Sequence, residues 1–307
     1  MTTTLPQSLE RAIAAIPGWS LQSLEFEVLD GGVTNSNWKV THKGTEHVLK
    51  HYGAGTEAFI NRAVSIDAAR QAHAMGIAPD VLHYDPQNGI EITEYLSGYR
   101  PSKTADFARE DFLGTVIDLY AKFHSGNPLS ETKDVFEMTD QHIEQARTLG
   151  ALFPTDFEWL IKQYGKAKQA FFASGLDLVP CHNDPMPGNF MVRMRGDRID
   201  DMKLIDYEYA SNNERAYEIG VFLAEVFVDE RTSLEMIERY YGVLRPATTA
   251  RVTVARAVAD MKWGSWAVQQ RQLSTWDFDY QKYGIWKYGR ARMLFDDPRW
   301  DDWLRAV

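Results

Sequence analysis

The sequence predicts an α+β protein in two parts: a small antiparallel sheet over residues 1–98, then a large helical region over 99–307 that carries one short hairpin. Three observations lead there. Strand-length segments with alternating or β-branched residues crowd into the first third. Gly- and Asp-containing turn signals separate them, and apolar residues at helical spacing dominate the remainder. At 307 residues the chain is long enough for each part to bury a core of its own.

In order along the chain, LEFEVL (24–29) alternates, Asp30-Gly31-Gly32 breaks the pattern, and SNWKVT (36–41) resumes it. Lys43-Gly44 is a turn signal and HVLKHY (47–52) a third strand. Residues 57–75 have helical periodicity, with Phe59, Ala63, Ile66 and Arg70 on one stripe and Gly76 as the stop. VLHY (81–84), a DPQNG turn and GIEITEYL (89–96) complete the antiparallel sheet. Helices are expected near 106–125, 138–148, 155–173, 214–228, 233–242, 248–272 and 277–294. A β insertion interrupts them: LVPC (178–181), NFMVRM (189–194), a Gly196-Asp197 turn and DMKLID (201–206).

Composition is that of an ordinary globular protein, 44% hydrophobic and 25% charged, which excludes wholesale disorder and fibrous folds. No segment approaches the roughly 18 apolar residues of a membrane helix. The opening MTTTLPQSLER has no basic start followed by an apolar run, so no secretory leader is expected. Cys181 is the one cysteine, which excludes an intrachain disulfide and a cysteine-built zinc site. Together these features read as cytoplasmic. The net charge of −10 is shared by acidic parts on either side of Gly98. Nucleic acid is therefore not an expected partner, whereas a small cationic substrate suits the balance. A homodimer is compatible with the sequence.

The most specific segment is CHNDPMPGNF (181–190), followed by LIDYE (204–208). Asp184 and Asn189 have the Asp-x4-Asn spacing of a kinase catalytic loop, and Asp206 lies 17 residues beyond Asn189 at the end of a hairpin strand. Phosphoryl transfer needs such a set. One carboxylate orients the acceptor hydroxyl and takes its proton, while an amide oxygen and a second carboxylate hold Mg²⁺ against the charge on the phosphoryl oxygens. Pro185, Pro187 and Gly188 favour a rigid, non-helical loop. Taken alone, Asp184 and Asn189 also read as a helix cap and a turn residue. A correctly spaced Asp206, with a Gly loop and a lysine in the preceding sheet, favours the chemistry.

The chain resembles the choline/ethanolamine kinase family, within the wider aminoglycoside-phosphotransferase-like group with a protein-kinase-like fold. The resemblance runs from about Leu29 to Phe295 and is carried by LDGGVTNSNWKV, HVLKHYG, GIAPDVLHY, ITEYLSG, HNDPMPGN, LIDYEYASNNERAYEIG and KWGSWAVQQRQLSTWDFDYQKY. The catalytic phrase is shared by the wider group, whereas the last two are more characteristic of choline and ethanolamine kinases.

The resemblance implies a two-lobed fold, with an ATP-binding lobe over 1–98 and a catalytic and substrate-binding lobe over 99–307. It implies an ATP- and Mg²⁺-dependent kinase acting on the hydroxyl of choline or a related amino alcohol. Asp184 is then the catalytic base, and Asn189 and Asp206 the metal ligands. Gly31, Gly32, Thr34, Asn35, Ser36 and Asn37 form the phosphate loop, and Lys50 holds the ATP phosphates as a point charge. The segment Thr93 to Leu96, with Glu94 and Leu96, forms the adenine-binding hinge. Tyr209, Glu225, Trp263, Trp266, Tyr280 and Tyr283 line the amine pocket, where aromatic faces attract a cation and Glu225 adds negative charge.

The sequence departs from the family at three places. Lys50 stands where arginine is frequent. Ser65 replaces a glutamate in the following helix, leaving Asp67 or Glu57 as the carboxylate for Lys50. A tyrosine expected shortly after Glu225 is absent from VFVDE (226–230). Isolated aromatic pairs at this spacing are usually core, and Arg215, Glu218 and His182 read as scaffold, with Cys181 a small buried residue. Two other readings stay open: a kinase of the same fold for an aminoglycoside, thiamine or sugar-like alcohol, and a ligand-binding pseudokinase.

Overall fold

Short-range sequence signals account for most of the first sheet. The computed structural model describes residues 7–14, 16–29, 35–53, 60–274 and 276–307, which form two units, Met1–Ser102 with Gly188–Ala210 and Lys103–Pro187 with Ser211–Val307. In the first, α1 (Gln7–Ala14), β1 (Leu24–Leu29), β2 (Ser36–His42), β3 (Thr45–His51), α2 (Arg62–Ala74), β4 (Val81–Asp85) and β5 (Ile90–Glu94) follow in order. The strands make one antiparallel sheet, β1-β2-β3-β5-β4. Lys43 and Gly44 both take left-handed conformations, φ 51° and 81°, as a two-residue hairpin that matches strand twist requires. Trp38, Val40, Leu49, Ile90 and Ile92 bury one face of the sheet against Leu9 and Ile13 of α1.

Two features of this unit differ from the sequence reading. The helix α1 was not expected, because eight residues with one apolar pair at i, i+4 carry little periodic signal. The buried stripe of α2 is rotated: Val64, Ser65, Ile66, Ala68, Ala69 and Ala72 are inside, while Ala63 and Arg70 are exposed. Asn61 caps α2 by accepting from Val64 N–H, and the expected start at 57–59 lies outside the described residues. Gly76 ends it as expected, at φ 74°, with Ile77 N–H reaching back to Ala72 C=O.

The hairpin of β8 (Phe190–Arg195) and β9 (Arg198–Leu204) also belongs to this first unit, not to the helical part where the sequence placed it. Backbone pairing decides this. Strand β8 pairs with β6 (Arg100–Pro101), and Leu204 N–H donates to Ile77 C=O at 2.8 Å. These are long-range partners that no local pattern encodes, and they move the boundary from Gly98 to Ser102.

The second unit contains α3 (Glu110–His124), α4 (Val135–Thr148), α5 (Phe157–Ser174), β7 (Leu178–Cys181), β10 (Ser211–Glu214), α6 (Arg215–Glu225), α7 (Glu230–Tyr241), α8 (Pro246–Leu273), α9 (Tyr280–Phe295) and α10 (Trp300–Ala306). Helices α4 and α7 begin three residues earlier than expected because Asp134 and Asp229 cap them through their side chains. The 28-residue α8 packs against α4, α6 and α9. At Gly220 a Cβ would stand 3.0 Å from Val252 C=O, so α6 and α8 meet backbone to backbone. Strand β10 and helix α10 were not expected; β10 is made by pairing with β7 and, at Asn212, with Thr132. No described helix is long and apolar enough to cross a membrane.

Candidate active site

In the first unit, the hairpin returns the chain to its own start: Ile205 N–H donates to Asn189 C=O at 3.0 Å, which sets Asp206 beside the Asn189 segment. Asp206 takes a left-handed conformation, φ 69°, an unfavourable one for most L-residues and tolerated best by Asn and Asp. Its Oδ1 accepts from Lys50 Nζ at 2.7 Å. Glu208 Oε1 lies 3.8 Å from the same ammonium and accepts from Asn35 Nδ2 and Arg62 Nη1, each at 2.5 Å. Asn35 Oδ1 in turn takes Gly53 N–H, and Arg62 stacks 3.9 Å from the centroid of Tyr52.

The lysine's carboxylate is therefore supplied by the segment after β9, not by α2. Among the sequence candidates, Glu57 lies outside the described residues, and Asp67 is an exposed residue of α2. Burial alone would push the Lys50 pKa down, but Asp206, Glu208 and the cross-strand Glu91 together hold it above the ordinary lysine value. Burial pushes the Glu91 carboxyl up in turn. Lys50 thus faces Asp206 and Glu208, and Arg62 pairs with Glu208. The hard oxygens of Asn189 and Asp206 suit a small divalent cation such as Mg²⁺.

Other expected nucleotide residues are only partly placed. Gly31, Gly32 and Thr34 lie outside the described residues. Asn35 is buried on Glu208, Ser36 is exposed at the start of β2, and Asn37 stands opposite Lys50 in the sheet register. Glu94 ends β5 with its backbone N–H on Asp80 C=O, and the Leu96 carbonyl accepts from Tyr99 N–H.

In the second unit, the loop after β7 is held from behind by Glu218 of α6, a fully buried carboxylate. Its two oxygens accept the backbone N–H groups of His182 at 2.5 Å and Asn183 at 2.8 Å. Asn183, at φ 68°, is further tied to Ser211 and Asn213, and Asp184 N–H reaches His182 Nδ1 at 3.3 Å. The loop thus presents Asp184 from a rigid backbone. His124, Cys181 and Glu218 group closely enough to suggest metal ligands, but the Glu218 oxygens are engaged by the loop and burial raises the Cys181 pKa. The cluster is scaffold. Glu218→Ala should destabilise the protein by about 3–5 kcal/mol in denaturant titration, since it strands two buried N–H donors. Arg215 pairs with Asp177 and not with Glu218.

Four expected pocket aromatics come together. Trp263 and Trp266 of α8 meet edge to face with centroids 5.5 Å apart, and Tyr280 and Tyr283 of α9 lie 5.6 and 5.8 Å from Trp266. The Nε1 of Trp266 is buried with no hydrogen-bond partner. Tyr209 falls in the other unit and is half-buried there. Glu225 does not stand as a free negative charge: Lys287 of α9 bonds its Oε2. Sequence reasoning missed Glu208, Lys262 and Lys287. The Asp-x-Glu spacing of 206–208 and a lysine set directly between Met261 and Trp263 were the available signals.

Comparison with known proteins bears on the family and the fold. The family model described as choline/ethanolamine kinase matches residues 26–241, well over half of the chain. A probable ethanolamine kinase of Arabidopsis thaliana is 25% identical over 326 residues, covering 94% of this chain and 85% of the relative. The solved choline/ethanolamine kinase family protein of Mesorhizobium loti superposes with a TM-score of 0.82 at 26% identity, covering 97% of each chain. A spectinomycin phosphotransferase, solved with ADP and spectinomycin, has a TM-score of 0.60 at 11% identity over 99% of this chain and 98% of its own, a likeness of fold alone. The fold is therefore the α+β, protein-kinase-like one expected from the sequence, and the chain belongs to the choline/ethanolamine kinase family, phosphotransferases that act on an alcohol group.

Proposed function

We propose that this protein transfers the γ-phosphoryl group of ATP, with Mg²⁺, to the hydroxyl of choline or a closely related amino alcohol. The observation that carries the reading is Lys50 Nζ held 2.7 Å from Asp206 on the segment that the hairpin returns to Asn189. Lys50 gives the nucleotide phosphates a fixed positive charge, and Asn189 and Asp206 are the oxygen donors for the metal. When bound there, Mg²⁺ supplies charge that offsets the negative charge of the phosphoryl oxygens.

Asp184 orients the acceptor hydroxyl and takes its proton as the oxygen bonds to the γ-phosphorus. The bond to the bridging oxygen breaks and ADP leaves. The aromatic group of α8 and α9 receives the amine end of the acceptor. A coupled assay of ADP release over a panel of amino alcohols, an aminoglycoside, thiamine and neutral sugars tests the reading. Turnover is expected with amino alcohols, and preference for a neutral sugar defeats it. Binding without ADP release for any acceptor at saturating Mg²⁺ would identify a pseudokinase instead. Trp263→Ala should raise the KM for the amine by about tenfold and leave the KM for ATP unchanged, as loss of one cation–π face implies.

A further inference from the structure

The second unit contains a cavity of about 300 Å³ between the end of α6 and helices α7, α8, α9 and α10. None of the residues assigned to phosphoryl transfer or to the amine pocket lines it. Its walls are largely apolar, from Phe227, Leu234, Ile237, Met293, Leu294 and Trp303, but three guanidiniums and two carboxylates line it as well. Arg290 pairs with Asp260 through two hydrogen bonds and donates a third to Ala224 C=O. Arg299 pairs with Glu230 at 2.7 Å and with Asp297 at 2.9 Å. Arg256 differs. Among the described residues no carboxylate lies within ion-pair distance of it; Nη1 donates to Ser233 Oγ at 3.1 Å, and Nε is buried with no hydrogen-bond partner. We propose that this cavity binds a small amphiphilic carboxylate, one anionic group on an apolar body, with Arg256 as its anchor.

The charge of the ligand follows from the guanidiniums. Arginine keeps its proton in proteins, and burial pulls the Arg256 pKa below its ordinary value, so a poorly solvated positive charge stands at the cavity. Asp260 and Glu230 attract that charge and Arg290 opposes it, but both carboxylates are already committed to other guanidiniums. With most of the Arg256 N–H donors unused, an incoming carboxylate gains charge-assisted hydrogen bonds without breaking an existing pair. One unpaired guanidinium matches one negative charge, whereas a doubly charged phosphate would bring a second one toward Asp260 and Glu230. The apolar body follows from the walls. Phe227 and Met293 are 64% and 75% exposed, so two large side chains of the lining face solvent. Phe227 is moreover held in a left-handed conformation, φ 57°, unfavourable for a bulky residue, with Arg290 4.8 Å from its ring centroid. A ring or short branched chain suits a cavity at the lower end of the small-molecule range, and it covers apolar surface that water in the cavity would leave wet.

The test is calorimetric titration of the full chain with 3-phenylpropionate, set against 3-phenylpropanol, which keeps the body without the charge, propionate, which keeps the charge without the body, and phenyl phosphate. The wild type should bind one equivalent of 3-phenylpropionate about tenfold or more tightly than either the alcohol or propionate. Arg256→Met should lose about tenfold in affinity for 3-phenylpropionate and leave the alcohol unaffected, because it removes the charge and keeps the length of the side chain. No binding of 3-phenylpropionate at millimolar concentration overturns the inference, as does an unchanged affinity in Arg256→Met. Tighter binding of phenyl phosphate overturns the carboxylate assignment. Displacement of the probe by MgADP or by ethanolamine would place it in the catalytic site and also overturns the inference. If Arg256→Met does not fold, the wild type decides: equal affinity for 3-phenylpropionate and 3-phenylpropanol removes the anchor, and a tenfold preference for the acid that persists in MgADP and ethanolamine supports it.

Discussion

Asp184→Asn is expected to lower kcat by about 10²–10⁴-fold, the range for loss of a positioned general base, with the KM for ATP unchanged. The substitution is nearly isosteric, and other groups hold the backbone of the loop. Glu218 holds the backbone of His182 and Asn183, and Ser211 and Asn213 hold the Asn183 side chain. A fall in activity would thus report lost proton acceptance and hydroxyl orientation, not a collapsed loop. Rapid-quench measurement of a single turnover separates the chemical step from ADP release. Near-wild-type single-turnover rates in Asp184→Asn would falsify its assignment as the base.

Asp206→Ala should cost roughly 10³-fold in turnover, because removal of one oxygen donor weakens a metal whose charge stabilisation is worth several kcal/mol. The change also removes the 2.7 Å partner of Lys50 and leaves Glu208, 3.8 Å away, as the carboxylate facing it. The loss is therefore expected in both Mg²⁺ dependence and ATP affinity. Ala is also a poor residue at φ 69°, which adds about 1–2 kcal/mol of strain. Asp206→Asn tolerates that conformation and so separates the two effects. It should fold like the wild type yet require a higher Mg²⁺ concentration for half-maximal activity. An unaltered Mg²⁺ titration in Asp206→Asn would exclude this carboxylate from the metal site.

The strands of the first sheet were legible because each is short and bounded by turn residues whose conformational demands are local, as at Lys43-Gly44. The beginnings of α4 and α7 were equally written in Asp134 and Asp229, although periodicity alone set them three residues late. Helix α1 and strand β10 were not legible, since both owe their existence to partners distant in sequence. The rotated face of α2 belongs with them: alanine is compatible with either side of a helix, so its burial is decided by what packs there.

The candidate site divides along the same line. The residue types and spacings of Asp184, Asn189 and Asp206 were determined by the sequence alone, because a loop and a hairpin are local structures. So was the family, since its phrases are contiguous. Only the tertiary structure decided that Lys50 takes its carboxylates from Asp206 and Glu208, that Glu218 pins the loop, and that Lys262 and Lys287 stand among the aromatic rings of α8 and α9. Charges interact through space and not along the chain. An ion pair between residues 50 and 206 leaves no mark on the neighbours of either, and the cost of burying a lysine is set by whatever the fold brings beside it.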